Sequence, residues 1–261
     1  MTNSLNQDKV TSPPIDAATV ILLRDNNQQL EVLLLCRGNS KTVMNKAWVF
    51  PGGKVDNSDF EHQAQVLSKV SAPPQMLLAE EDLESAKACA LFFAATRETF
   101  EETNVRLDVS AVHPWSRWVT PNEPSMMKKR FDARFFVAAL PDGETAVHDG
   151  SEATDSMWVT PQQALLDYLA HNITLAPPQI MTLLALCAHK STVSCIDKAN
   201  ATPTYCIQPQ VIKTGTNERT LLYPGDPAHS DPQKMMPGPT RLIWMDGHFA
   251  PANGFDEYLQ A

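Results

Sequence analysis

Three carboxylates fall together in the run Arg97-Glu98-Thr99-Phe100-Glu101-Glu102. The stretch around them, Glu84 to Thr103, has no Gly or Pro and is rich in Ala, Leu, Phe and Glu, so it is predicted to be one helix. On a helix, Glu98, Glu101 and Glu102 stand at i, i+3 and i+4 and share one face. They also occupy the last turn, where the macrodipole is negative and disfavours each exposed carboxylate by about 0.3–1 kcal/mol. Local stability therefore does not account for them. A hard divalent cation does, because it takes oxygen ligands and a helix end can offer several at once. Arg97, four residues before Glu101, can hold that carboxylate in place. A solvated acidic face is the competing reading.

The neighbouring segments must carry this helix. Ala17 to Arg24 and Leu30 to Arg37 are apolar runs separated by Asp25-Asn26-Asn27-Gln28-Gln29, which predicts a strand, a turn and a strand. Trp48-Val49-Phe50 is a short extended piece stopped by Pro51-Gly52-Gly53, a loop where glycine permits close approach of a ligand. Asp56 to about Ala79 is polar, includes Pro73-Pro74, and reads as a surface excursion with a short helical piece around Glu61 to Val70. Further strands are expected over Arg106 to Val112, Arg130 to Ala139 and Met157 to Thr160, with Trp115 to Lys129 as a loop. Pro161 to Ala170 and Pro177 to His189 read as helices with Pro in the first turn. Ser191 to Ala261 is Pro-rich, with short apolar pieces at Gln210 to Lys213, Thr220 to Tyr223 and Arg241 to Met245, and suggests a small β-containing extension.

Composition limits the partners. The 261 residues are 43% hydrophobic and 20% charged, enough for a full core. A formal charge of -9 disfavours nucleic acid polymers and anionic membranes, although bound metal can still attract a small anion. Five scattered cysteines with no C-x-x-C pair suggest neither a disulfide framework nor a zinc site. No run of about 18 apolar residues occurs, and the polar leader 1–14 has no signal-like stretch, so a soluble cytoplasmic protein is expected. Nothing in composition separates a monomer from a homodimer.

Gly53 followed by Arg97-Glu98-Thr99-Phe100-Glu101-Glu102-Thr103-Asn104-Val105 resembles the box of the Nudix hydrolases, G-x5-E-x7-R-E-U-x-E-E-x-G-U with U apolar. The preceding Trp48-Val49-Phe50-Pro51-Gly52-Gly53-Lys54 is similar to that family's approach to the box. Between Gly53 and Arg97 lie 43 residues where the pattern has 13, so about 30 are inserted, and the position eight before Arg97 is Cys89 rather than Glu. Glu61, Glu80, Glu81 or Glu84 from the insertion is the expected substitute for that carboxylate. Asn104 stands for the usual Gly and Thr99 for an apolar residue. An interrupted box resembles the branch that includes a peroxisomal coenzyme A diphosphatase. Trp118-Val119-Thr120-Pro121, Arg130 to Phe136 and Gly247-His248-Phe249 are similar to recurring pieces of that branch, so the likeness spans roughly residues 15 to 250.

The resemblance implies an α/β fold: a Nudix α/β/α sandwich with a mixed central sheet, an insertion at about 56–83, a main domain over 15–190 and an extension over 191–261. It implies Mg²⁺ or Mn²⁺ at Glu98, Glu101, Glu102, Glu152 and the Gly52 carbonyl, with Arg97 orienting Glu101. Asp155 is a weaker rival to Glu152 as the later-loop acid, and the general base is left between Glu98 and Glu152. Arg37, Gly53, Lys54, Trp118 and Arg130 are expected to contact substrate, with Trp115 or Trp118 stacking on a base and Lys128, Lys129 and Arg130 meeting a phosphate. The expected substrate is a small diphosphate, coenzyme A or an acyl-CoA. ADP-ribose, NADH or dinucleoside polyphosphates are alternatives, as is a non-catalytic binding module of the same fold.

Overall fold

The structure, a computed structural model, describes residues 9–38, 46–123, 129–213 and 218–259; residues 1–8 of the polar leader and Lys128 lie outside them. The chain runs β1 (Ile15–Asn26), β2 (Gln29–Arg37), β3 (Trp48–Val49), β4 (Gly52–Lys54), a 3-10 turn (Asn57–His62), α1 (Gln63–Leu67), α2 (Pro74–Leu77) and α3 (Ser85–Thr103). β5 (His113–Val119), β6 (Phe131–Ala139), β7 (Ala153–Val159), α4 (Pro161–Leu169), α5 (Pro177–Leu186) and α6 (Thr192–Ala201) follow. Last come β8 (Tyr205–Ile207), β9 (Gln210–Lys213), β10 (Arg219–Leu222), β11 (Arg241–Met245), β12 (His248–Ala250) and α7 (Asp256–Leu259).

The main sheet is mixed. β1 pairs parallel with β6 along Ile15 to Leu23 and antiparallel with both β2 and β4 on its other edge. β2 meets β1 only from Gln29 to Val32, and β4 meets β1 only from Ala17 to Thr19. The β1–β2 hairpin thus opens into a fork, which residues 48–54 fill by pairing with β2 through β3 and with β1 through β4. Pro51-Gly52-Gly53, expected as a loop, is drawn into the sheet, because the fork offers unpaired backbone on both sides.

Alternation sorts the two faces of the sheet. On β6, Asp132, Arg134 and Phe136 point to the side that carries α3, where Phe136 meets Phe92. Phe131, Ala133 and Phe135 point to the other side, level with Ala17 and Thr19 of β1. Val20 to Leu23 are all fully buried, as a strand covered on both faces must be.

Two expected elements differ. Arg106 to Val112 is not a strand: the Asp108 side chain accepts from the Ser110 backbone N–H at 2.9 Å and sets a 3-10 turn at Val109–Ala111. Trp115 to Val119 of the expected Trp115 to Lys129 loop belong to β5, whose Pro114 is accommodated where the pairing register with β6 shifts. Within the extension, Gln210 to Lys213 and Arg241 to Met245 are strands and Arg219–Leu222 covers most of the third piece, giving a sheet of order β12-β11-β10-β9. β8 instead joins the main sheet beside β5. Helix α6 went unanticipated; Ser191 caps it and Asp25 accepts from the Thr192 N–H and hydroxyl at 2.9 and 2.8 Å. Among the described residues no helix is long and apolar enough to cross a membrane.

The insertion is anchored by charge. Arg134 is 1% exposed and pairs with Asp16 at 2.8 Å, Glu80 at 2.7 Å and Asp132 at 3.2 Å, while Arg117 bridges Glu80 and Asp132 at 2.8 Å each. Glu80, expected to support the acidic box, is committed here instead. Arg134→Ala leaves these carboxylates short of one cation and is expected to lower unfolding free energy by about 3–5 kcal/mol in urea titrations. A loss below about 1 kcal/mol would mean that Arg117 alone satisfies the cluster.

Candidate metal centre

Helix α3 ends at Asn104, which takes the left-handed conformation with φ 58° and returns its N–H to the Phe100 carbonyl at 2.8 Å. The loop that follows β6 then closes on the free carbonyls of the last turn: Val147 N–H donates to Thr103 at 2.8 Å and Asp149 N–H to Glu102 at 3.1 Å. Asp149 in turn accepts from the backbone N–H of Glu152 at 2.9 Å and Ala153 at 3.0 Å, and the Glu152 carbonyl takes the Gly38 N–H at 2.8 Å. Although burial opposes it, the hydrogen bonds from Ser151, Ala153 and Glu152 hold the Asp149 carboxyl down at about 2. Glu152 is thereby fixed between the end of α3 and the end of β2.

Arg97 is the hub of the acidic cluster. Its guanidinium donates to Asp59 at 2.7 and 2.9 Å, to Glu98 at 3.0 Å, to Glu101 at 2.9 Å and to the Lys54 carbonyl at 3.0 Å. Asp59 is fully buried and Arg97 only 16% exposed at its side chain. Glu102 reaches under the fork and accepts the Gly52 N–H at 2.8 Å. Burial pushes its carboxyl up to about 7; the Gly52 hydrogen bond and Arg37 oppose this, while Glu98 and Glu152 add to it. Burial likewise raises Glu98, against the pull of Arg97.

The two glycines serve different neighbours. A Cβ on Gly52, whose φ is +148°, would lie 2.3 Å from the Ala18 carbonyl oxygen, a backbone atom that cannot yield. A Cβ on Gly53 would lie 2.4 Å from the Glu98 carboxyl. Gly52 lets the chain enter the fork, and Gly53 leaves room for a carboxylate.

A cavity of about 490 Å³ opens beside this cluster. Its lining combines Arg37, Lys54, Glu98, Glu101 and Glu152 with Trp118, Phe131, Phe135, Pro178 and Leu221. Arg37 is aimed there at a register shift in the β2–β7 pairing.

The sequence profile of the NUDT19 Nudix domain matches residues 98–186. An acyl-coenzyme A diphosphatase NUDT19 from Xenopus laevis is 28% identical over 63% of this chain and 61% of its own length. Putative nudix hydrolase 7 from Caenorhabditis elegans is 28% identical over 85% of this chain and 77% of its own. The crystal structure of a NUDIX hydrolase from Alicyclobacillus acidocaldarius superposes with a TM-score of 0.56 at 22% identity, covering 75% of this chain and 99% of that one. Over residues 98–186 the chain is similar to the Nudix domain. Its likeness is to the NUDT19 branch, and it spans 61% of the length of the Xenopus relative. The fold is the α/β fold of Nudix hydrolases.

Within the Nudix box the structure corrects one expectation. The carboxylate held against Arg97 is Asp59, not Glu61, Glu80, Glu81 or Glu84. Asp59 is the sixth residue after Gly53, the place of the first acid in G-x5-E, so the inserted residues follow that acid rather than precede it. Counting forward from Gly53 finds it; counting back from Arg97 finds Cys89, a buried residue of α3.

Among the other expected contacts, Arg130, Trp115 and Asp155 are not in the cavity wall and Trp118 is. Arg130 is buried and donates to the carbonyls of Thr120 at 2.9 Å and Ser12 at 3.4 Å, a structural commitment in place of a phosphate contact. Trp115 is buried edge-on to His189 and is not in the cavity wall. Trp118 is a wall residue, but its ring is buried against Phe135 and Tyr223 and its indole N–H goes to Ser116 at 3.1 Å. Asp155 is likewise not a wall residue, whereas Glu152 is.

The donors suit a hard dication: they are carboxylate oxygens, and Glu102, raised first by burial, is raised further by Glu98 and Glu152, a repulsion that a cation would relieve. Among the described residues no three His, Cys, Asp or Glu groups converge as they stand on one ion position, since Glu98 and Glu101 turn to Arg97 and Glu102 to Gly52. Holding a cation there would require these carboxylates to rotate.

Gly53→Ala is expected to fold with stability within about 1 kcal/mol, because the Glu98 carboxyl is the flexible end of a side chain. Gly52→Ala is expected to lose about 3 kcal/mol through backbone strain. Thermal denaturation of both variants, with Mn²⁺ titration followed by calorimetry, separates the roles: Gly53→Ala should weaken metal binding at near-normal stability.

The raised Glu102 carboxyl also sets a pH dependence. The folded state holds this proton longer than the unfolded chain, so without metal its contribution to stability is largest below about 4.5 and is lost as pH rises through about 7. Urea midpoints are expected to fall across that window, to recover when Mg²⁺ is added above it, and to flatten in Glu102→Gln. A midpoint indifferent to pH in both proteins would reject the raised carboxyl.

Proposed function

We propose that this protein hydrolyses the diphosphate bond of a nucleoside diphosphate-linked substrate, coenzyme A or an acyl-CoA, using Mg²⁺ or Mn²⁺. Nudix hydrolases generally use divalent cations. The observation that carries the reading is a cavity whose lining joins carboxylates of α3 to apolar residues of β5, β6, α5 and β10. A diphosphate alone needs no such wall, whereas a diphosphate joined to a long neutral arm does. The Xenopus relative's name, acyl-coenzyme A diphosphatase, supports the same substrate class.

In this reading Glu98, Glu101, Glu102 and Glu152, with the Gly52 carbonyl, hold the cation, and Arg97 sets the rotamers of Glu98 and Glu101. The bound cation neutralises phosphate charge and acidifies water. Arg37 and Lys54, both in the cavity wall, meet the anionic diphosphate. Glu98 is the preferred proton acceptor, because burial raises its proton affinity toward the working pH. Glu152 is exposed, remains the alternative base, and closes the site opposite α3.

The test is a panel of coenzyme A, an acyl-CoA, ADP-ribose and NADH with Mg²⁺ or Mn²⁺, with products read by chromatography. Coenzyme A and the acyl-CoA are expected to release 3′,5′-ADP, and Glu98→Gln to lower kcat by about 10²-fold or more. Preference for ADP-ribose or NADH would reassign the substrate. Absence of metal-dependent turnover of any member would leave a binding module.

A further inference from the structure

The connection from β6 to β7 contains no helix or strand, yet it ends on Glu152, a carboxylate of the cavity lining. Gly143 and Gly150 within it take φ +82° and +74°, and no atom lies within 4 Å of the place a Cβ would occupy on either. Packing at these turns therefore does not fix the segment. The charge of Glu152 nonetheless acts on both Glu98 and Glu102, which makes the three carboxylates near neighbours.

Asp149 supplies the restraint. Its backbone N–H donates to the Glu102 carbonyl at 3.1 Å, and its carboxylate accepts from the N–H of Glu152 at 2.9 Å, the N–H of Ala153 at 3.0 Å and the Ser151 hydroxyl. One residue thus touches the backbone of an acid on α3 and the backbone of the acid near it. It is exposed and is not itself in the cavity lining. On the other side, the Gly38 N–H donates to the Glu152 carbonyl at 2.8 Å. A Cβ on Gly38 would lie 3.1 Å from that carbonyl oxygen and 3.1 Å from Thr154 Cγ2, so one of them would have to shift. The pairing of β2 with β7 skips Thr154, since Cys36 faces Asp155 and Arg37 faces Ala153, and the tight approach falls at this irregularity.

We infer that Asp149 is a positioning residue for the metal centre, setting the separation between Glu102 and Glu152, with Gly38 as its counterpart on the other side of Glu152. This deepens the reading under the preceding heading and rests on it for the role of Glu152. The restraint acts on backbone atoms, so the Glu152 side chain stays free to rotate onto a cation while its Cα stays in place. Groups that orient a metal ligand typically weigh about 10–100-fold in metal affinity, although they touch neither metal nor substrate.

The experiment measures Mn²⁺ binding to the full chain by calorimetry, with no substrate present, in a double-mutant cycle of Asp149→Ala and Glu152→Gln. Asp149→Ala is expected to weaken Mn²⁺ binding about tenfold and to lower the melting temperature by only about 2–4 °C, as loss of a surface turn contact would. Glu152→Gln leaves three box glutamates, so weaker Mn²⁺ binding is still measurable, and in that background Asp149→Ala is expected to have no further effect. Asp149→Asn, which keeps one acceptor oxygen, is expected to fall between alanine and wild type. Gly38→Ala displaces Glu152 from the other side and is expected to weaken Mn²⁺ binding only while Glu152 is present, which keeps the test open if Asp149→Ala misfolds. An equal loss with and without Glu152, or a lower melting temperature with unchanged Mn²⁺ affinity, overturns the positioning role and leaves Asp149 a turn residue. So does Mn²⁺ binding that Glu152→Gln does not alter. The two readings fail separately: a cycle that holds without turnover of any diphosphate rejects the diphosphatase, and turnover with an additive cycle rejects only the role of Asp149.

Discussion

Arg97 is the residue on which the acidic site depends. Glu98, Glu101 and Glu102 crowd the negative end of a helix, and two of the three bond to one guanidinium. That guanidinium would itself swing freely if it were held only by them. Asp59 prevents this, since a fully buried carboxylate on the Nε and Nη2 edge leaves the Nη1 edge to face the box glutamates. A charge taken out of water is costly unless fully paired, and here Asp59, Arg97 and the Lys54 carbonyl complete one another. The result is a fixed positive point around which the box carboxylates can turn toward a cation without losing their reference.

The opened hairpin supplies the second constraint. Had β1 and β2 paired along their full lengths, no backbone would be available for residues 48–54, and the two glycines would lie outside the sheet. Because they enter it, Gly52 offers its N–H to Glu102 and Gly53 makes space for Glu98. The acidic helix and the sheet therefore meet at atoms rather than at an approximate interface. Strand alternation then places the charged clip around Arg134 on the α3 face and the cavity wall on the other, so the insertion is secured without intruding on the site.

Local pattern made much of this legible. The hairpin, α3 and its left-handed Asn104, α4 and α5, and the extension's strands over Gln210 to Lys213 and Arg241 to Met245 follow from periodicity and end signals that act within a few residues. The carboxylates of the box were likewise visible as an i, i+3, i+4 set. What failed depended on distant partners. Asp59 looks like any loop acid until Arg97, 38 positions away, is brought against it. Arg130 looks like a surface cation until the carbonyls of Ser12 and Thr120 claim it. The tryptophans of β5 looked like stacking platforms because Pro114 disguised a strand, in which Trp115 and Trp118 are both buried.

The division of labour along the chain explains why the box alone says little about substrate. The box and its clamp fix a place for charge, and any diphosphate satisfies that requirement equally. Discrimination has to come from surfaces beyond the phosphates, and these are assembled from β5, β6, the start of α5 and β10, elements separated by up to a hundred residues of sequence, roughly, and united only by the fold. Such walls are free to diverge while the acidic cluster stays put, since a changed wall residue alters which neutral arm fits without disturbing the pairing of Arg97.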